Sequence, residues 1–347
     1  MSPMSNRERV LTAFSRRTPD KVPKRIQSGS HLSKLVRENT GSDNPSKYFN
    51  MDIQQMVHYK PTENSGDFSK YPSYDGVNSV NEWGIRGLQG SHTPMRDFRT
   101  VNDVYEYPLP DVGASYRYEH LPEAIREIKE KKLPAVSGYE CGSFEKLWAL
   151  RGMENFLVDL LQEPEFLTPL IEKVSDLKAQ IAAGYAKAGV DVIWSGDDLG
   201  SERAMLMSPD VWRKHLKSCV KKIVRAAKDI NPDVLVAFHS DGYIEPIIPD
   251  LIEVGVDILQ AVQPECMDIA GLKRDYGNGI SFWGTIGTQS TMAFGTPEEV
   301  KSVVKERIET AGARGGLCIG PSHTLEPPTP WENIVAFFEA VEDFGQY

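Results

Sequence analysis

Apolar and polar positions along this chain switch repeatedly between a helical period and short, nearly continuous apolar runs. From about residue 119 the switching is regular. A helical pattern over 122–131 leads to an apolar run at 133–139, which closes on Glu140-Cys141-Gly142. Helical stretches at 144–161 and 164–188 precede a strand at 190–195, followed by Gly196-Asp197-Asp198-Leu199-Gly200. A helix over 209–229 takes Ser208 as its N-cap. The alternation then tightens: strand 234–238, helix 244–254, strand 256–262, a short helix at 267–276 and strand 280–284. Thr296-Pro297-Glu298-Glu299 joins an N-cap threonine, a first-turn proline and a glutamate placed for a capping box, which opens a helix over 297–311. A strand at 316–320 and a helix at 331–344 complete the series.

Strands alternating with helices through short connections imply parallel pairing. Six strands are legible from residue 133 onward, and 22–26 and 53–59 supply two more. Eight strands make a (β/α)8 TIM barrel the expected α/β architecture, a single domain over 1–347 with an N-terminal extension. A doubly wound open sheet is the alternative, but no GxGxxG follows a strand. The segment from about 60 to 118 breaks the rhythm, being rich in Ser, Asn, Asp, Gly, Tyr and Pro. It reads as an insertion folded over the barrel mouth. Tyr59, Tyr71, Tyr74 and Trp83 are expected to pack there, with capping of a pocket as the second reading.

Composition narrows the function classes. The 347 residues are 40% hydrophobic and 25% charged, as in ordinary globular proteins. Acidic side chains outnumber basic ones by 49 to 39, and no Lys/Arg stripe is present, which argues against nucleic acid as a partner. No apolar run approaches the roughly 18 residues that a membrane span needs. The four cysteines form no CxxC pair and read as reduced thiols, so a cytoplasmic protein is expected.

Barrel enzymes carry their chemistry at the C-terminal strand ends. Here those ends present Glu140 and Cys141; Asp197 and Asp198; His239 and Asp241; Gln260 and Gln263; Thr285, Thr288 and Gln289; and Cys318, Ser322 and His323. Imidazole, carboxylate and thiolate are zinc-binding groups, and a catalytic zinc needs only three protein ligands. His239, Asp241 and Cys318 are therefore candidate metal ligands. Each also has an ordinary explanation. His239 can be a satisfied core histidine, Asp241-Gly242 a turn or cap, and Cys318 a small buried hydrophobe. Cys219 and Cys266 have no ligand company and read as structural, and His215 lies within a helix.

These residues carry a family resemblance. Asn6-Arg7-Glu8-Arg9-Val10-Leu11-Thr12-Ala13-Phe14, Thr18-Pro19-Asp20-Lys21-Val22-Pro23, Phe238-His239-Ser240-Asp241-Gly242, Ile248-Pro249-Asp250-Leu251-Ile252-Glu253-Val254-Gly255-Val256-Asp257 and Phe282-Trp283-Gly284 resemble the uroporphyrinogen decarboxylase superfamily over nearly the whole chain. The resemblance implies a (β/α)8 barrel and is compatible with a homodimer. The family's decarboxylases hold substrate carboxylates with an arginine-rich RQAGR-type stretch. Here that region reads Pro23-Lys24-Arg25-Ile26-Gln27-Ser28-Gly29-Ser30-His31, without the arginine pair, and the C-terminal Gly-His-Gly is absent.

The corrinoid-linked methyltransferase branch, which includes coenzyme M methyltransferases and O-demethylation components, carries His-x-Cys and a distant second Cys as zinc ligands. This chain is similar at His239, Asp241 and Cys318, with Asp241 standing where that motif has cysteine. Replacing a thiolate by a carboxylate leaves zinc a harder Lewis acid, suited to polarising an ether oxygen. The resemblance thus implies a zinc methyltransferase that moves a methyl group between a small donor, such as an aryl methyl ether, and a corrinoid. A separate corrinoid protein is the expected carrier, since no Asp-x-His-x-x-Gly occurs. Zinc would rest on His239 and Cys318 with Asp241 or Glu140 as third ligand; Cys141 and Asp198 are alternatives. Glu140, Asp198 and Asp241 are the expected catalytic carboxylates, and Tyr139, Trp83, Gln263 and His323 the expected substrate contacts. Loss of the metal, with His239 and Asp241 as acid–base groups, is a further alternative at the site; decarboxylation of a tetrapyrrole or smaller acid without metal, and a silent ligand-binding barrel, are the competing readings.

Overall fold

The computed structural model describes residues 3–61, 71, 80–86 and 93–347. Its frame is a parallel sheet of eight strands: β1 (Met56–Val57), β2 (Val136–Ser137), β3 (Glu140–Cys141), β4 (Val192–Gly196), β5 (Leu235–His239), β6 (Ile258–Ala261), β7 (Ser281–Ile286) and β8 (Leu317–Pro321). The order is β1-β2-β4-β5-β6-β7-β8, with β3 also on β4. Helices intervene between most successive strands, giving a TIM-barrel-like α/β fold. The strands from β4 to β8 are almost wholly buried, as expected of parallel strands covered on both faces. At the N-terminus Lys24 bridges Ile319 of β8 in parallel, Arg25 N–H donates to Ile319 O at 3.0 Å, and Asp52 N–H donates to Lys24 O at 3.0 Å.

Most elements expected from the pattern are present, with three informative breaks. The helix expected over 144–161 splits into Ser143–Arg151 and Met153–Gln162 at Gly152, whose φ of 90° is outside the helical region. The helix over 209–229 divides at Leu216. The strand expected over 133–139 is interrupted: Val136 pairs with Val192, but Glu140 pairs with Ser195. Four steps along one chain thus face three along the other. That extra residue is a bulge, a device that re-aims side chains.

Two salt-bridged arginines fasten the N-terminal helix, Asn6–Phe14, to the rest. Arg7 pairs with Asp191 just before β4, and buried Arg9 holds both Asp20 and Asp52. Tyr71 and Trp83 of the insertion are buried and Tyr59, just before it, is half-buried, so these aromatics pack; Tyr74 lies outside the described residues. No helix among the described residues is long and apolar enough to cross a membrane.

Candidate active site

His239 is the last residue of β5 and is buried. Its place depends on Gly196, the last residue of β4, because a Cβ there would lie 2.1 Å from the His239 carbonyl oxygen. Three residues later the chain turns at Gly242, with φ of +77°. A side chain there would strike the backbone of Gly200 at 2.4 Å. These two glycines let the loops after β4 and β5 close together, and so bring Asp198 and Asp241 to the histidine.

The hydrogen bonds assign the His239 tautomer. Trp194 Nε1, which can only donate, bonds Gln260 Oε1 at 3.1 Å, so that oxygen is an acceptor. The same oxygen meets His239 Nδ1, which therefore carries the proton. Nε2 is left with a free lone pair, 3.4 Å from Asp198 Oδ1 and 4.0 Å from Asp241 Oδ1. Asp198 accepts the Asp241 backbone N–H at 3.0 Å. On the far side, His323 Nε2 stands 4.0 Å from Asp241 Oδ2, and the two imidazole centroids are 6.2 Å apart.

His239, Asp241 and His323 thus offer three ligand atoms within 4.8 Å of one another. Asp241 Oδ1 is buried without a hydrogen-bond partner. Burial raises the Asp241 carboxyl and the charge of Asp198 adds to the rise, while His239 and His323 oppose it. A buried carboxylate oxygen lacking any donor, beside two imidazoles, is a group that could hold a cation. Two histidines and one carboxylate form a donor set that zinc accepts in catalytic sites. A cavity of about 360 Å³ opens beside them, lined by Asp241, Gln263, Thr288, Gln289 and His323 among others.

Cys318 is not part of this group. It is the second residue of β8, fully buried, in a cluster with Phe14, Trp194 and Trp283. Burial, and then the charge of Asp52, drive its thiol well above the usual range, while Arg25 opposes the rise. Among the described residues the structure groups His239 and Asp241 with His323, expected only as a substrate contact, and not with Cys318. Glu140 does not join the group either. It lies on β3 in an ion pair with buried Lys178, whose ammonium also donates to Cys141 Sγ at 3.6 Å. Trp83 is a packing residue, with the Lys146 and Lys178 ammoniums 4.6 and 5.0 Å from its ring centre. Gln263 holds the turn, its Oε1 accepting the Gly242 N–H at 2.6 Å. Cys219 is buried, its Sγ donating to His215 O at 3.6 Å.

Tyr139, on the bulge, stands beside His239 with ring centroids 5.1 Å apart. Its hydroxyl donates to Glu145, a residue the sequence reading missed. Glu145 sits in the first turn of the Ser143–Arg151 helix, where an acidic residue looks like ordinary dipole compensation. Its position four residues past the end of β3 is the signal that singles it out. Burial, and then the neighbouring Asp197, raise its pKa to about 8. Asp197, which accepts the Glu145 N–H at 2.9 Å, is itself raised to about 7 by burial.

Comparison with known proteins agrees with this architecture. The uroporphyrinogen decarboxylase (URO-D) family model matches residues 87–344. Uroporphyrinogen decarboxylase of Coxiella burnetii is 23% identical over 269 residues, covering 73% of this chain and 69% of the relative. The enzyme of Trichodesmium erythraeum is 26% identical over 258 residues, with the same coverage. Among solved structures, a methyltransferase from Methanosarcina mazei superposes with a TM-score of 0.68 at 20% identity, covering 98% of this chain and 99% of that one. That likeness establishes the fold. With the family model spanning most of its length, the chain belongs to the uroporphyrinogen decarboxylase family.

Proposed function

We propose that this protein transfers a methyl group between a small methyl donor and a corrinoid presented by a separate protein, using a zinc ion held by His239, Asp241 and His323. The observation that carries the reading is the unpartnered, buried Asp241 Oδ1 between two imidazoles. When bound, the metal would act as a Lewis acid on the donor's oxygen or other leaving atom. The chain's own residues do the rest. Gln260 fixes the His239 tautomer, His323 borders the cavity, Tyr139 stands against His239, and Glu145, raised to about 8, keeps a proton beside the Tyr139 hydroxyl at neutral pH. That proton can pass to the phenol oxygen as the phenol turns and gives its own proton to a leaving oxygen. The same reading takes the sheet as a closed (β/α)8 barrel, supported by the hydrogen bonds of the 22–26 segment to β8 and from Asp52.

The curated relatives, named uroporphyrinogen decarboxylases, favour decarboxylation as a second reading; on that reading the chain would act without metal. The two readings separate in one assay. Incubation of the purified, zinc-supplemented protein with cob(I)alamin and a panel of methyl ethers should give the absorption spectrum of methylcobalamin. The His239→Ala protein should give none. Carbon dioxide release from uroporphyrinogen by metal-free protein, with no methyl transfer from any donor, would overturn the proposal.

A further inference from the structure

Gln263 carries a hydrogen-bond donor that no group of the protein uses. The residue lies two positions past the end of β6 and is 7% exposed. Two donors converge on its side-chain oxygen: the Gly242 N–H reaches Oε1 at 2.6 Å and the Cys266 thiol at 3.8 Å. A backbone N–H only donates, so this end of the amide is the oxygen and the other is the NH2 group. The Gln263 backbone carbonyl is taken by the N–H groups of Cys266 and Met267, both at 3.1 Å. Nε2, by contrast, meets no acceptor among the described residues. Unlike Asp241 Oδ1, it is not sealed from solvent. The space it opens to is the cavity of about 360 Å³ that Gln263 lines together with Asp241 and His323.

A donor held in one orientation on a nearly buried residue, with no acceptor of its own, calls for a ligand that brings one. The charge around the cavity decides what kind. Asp241 and Glu326 line it, and no Lys or Arg does among the described residues. Asp198 stands 3.4 Å from His239 Nε2. These three carboxylates outweigh the two positive charges of a bound zinc, so an anionic ligand finds no net counter-charge here. Phe294, Pro327 and Pro328 supply an apolar wall, with the Phe294 ring exposed. The bond to Gly242 sets the Gln263 amide beside the residue that follows Asp241, so one small molecule can meet both the amide and the metal.

We infer that Gln263 sets the substrate class: its Nε2 donates to a neutral oxygen of an uncharged methoxy compound, and the acidic cavity rejects a carboxylic acid of the same shape. The methoxy group and its placement at the metal rest on the methyl-transfer reading; the amide contact and the charge selection do not.

Three probes of one shape supply the test: 2-methoxyacetophenone, with a neutral carbonyl; 2-ethylanisole, with no second oxygen; and 2-methoxybenzoate, with a carboxylate. Each is titrated into the protein as purified and followed by ligand-observed NMR. The ketone should bind about fivefold tighter than the ethyl compound, the worth of a typical neutral hydrogen bond, and tighter than the benzoate by at least about that factor. Gln263→Glu keeps an oxygen for the Gly242 N–H but has no NH2 group. In that variant the ketone-to-ethyl ratio should fall to about one, with the circular dichroism spectrum unchanged. A glutamine that only holds the turn would leave the ratio at its wild-type value. Should the variant fail to fold, the three-probe comparison on wild type decides alone. No saturable binding of the ketone, equal affinity for ketone and ethyl compound, a preference for the benzoate, or a ratio kept in Gln263→Glu overturns the inference. The readout needs no corrinoid, added zinc or turnover, so its failure is distinguishable from failure of the methyl-transfer reading.

Discussion

The behaviour of His239 is set by one amide oxygen. Gln260 Oε1 accepts from Trp194 and from His239 Nδ1, leaving Nε2 free to bind a metal. Such outer partners orient the ligand, and their loss typically costs ten- to a hundredfold in metal affinity. Gln260→Ala should therefore weaken zinc binding by about that factor in a chelator competition, without removing a ligand. Glu145 makes a prediction about pH. Its pKa rises to about 8 on folding from the ordinary carboxylate range. Between those limits the folded state holds more protons than the unfolded state, so stability falls as pH rises through the window. Glu145→Gln should flatten that decline: its melting temperature should match wild type near pH 4 and exceed it at pH 9. A parallel decline in both proteins would assign the effect elsewhere.

At the scale of elements, what could be read from sequence and what could not divide along a physical line. Local signals read well. The capping box Thr296–Glu299 is present with both of its hydrogen bonds, and Ser208 caps its helix through the Val211 N–H. Thr296→Ala should cost about 1 kcal/mol in urea unfolding. Depth along a strand did not read well. β8 runs to Pro321, so Cys318 sits three residues, about 10 Å, below the mouth, while His323 emerges at it. An apolar run of Leu-Cys-Ile-Gly gives no indication of where its strand stops. The bulge between β2 and β3 is equally silent, because it depends on register with β4. Gly196 is legible only once β5 is seen beside it. Gly196→Ala would push the strands apart at His239, and a loss of about 1–3 kcal/mol of stability is expected, together with weakened metal binding.

For the whole molecule, the sheet brings residues from three distant parts of the chain to one end, and the family match covers most of the length. The N-terminal helix is tied to this frame by the buried Arg9–Asp52 pair. Removing one partner, as in Arg9→Ala, should cost about 3–5 kcal/mol because the other charge stays buried. The central claim concerns the cluster itself, and metal content after purification without chelator tests it most directly. Wild type and Cys318→Ala should each carry about one zinc per chain by mass spectrometry, and His239→Ala, Asp241→Ala and His323→Ala should carry almost none. An active wild-type protein free of metal, or zinc lost from Cys318→Ala and kept in His323→Ala, would contradict the account.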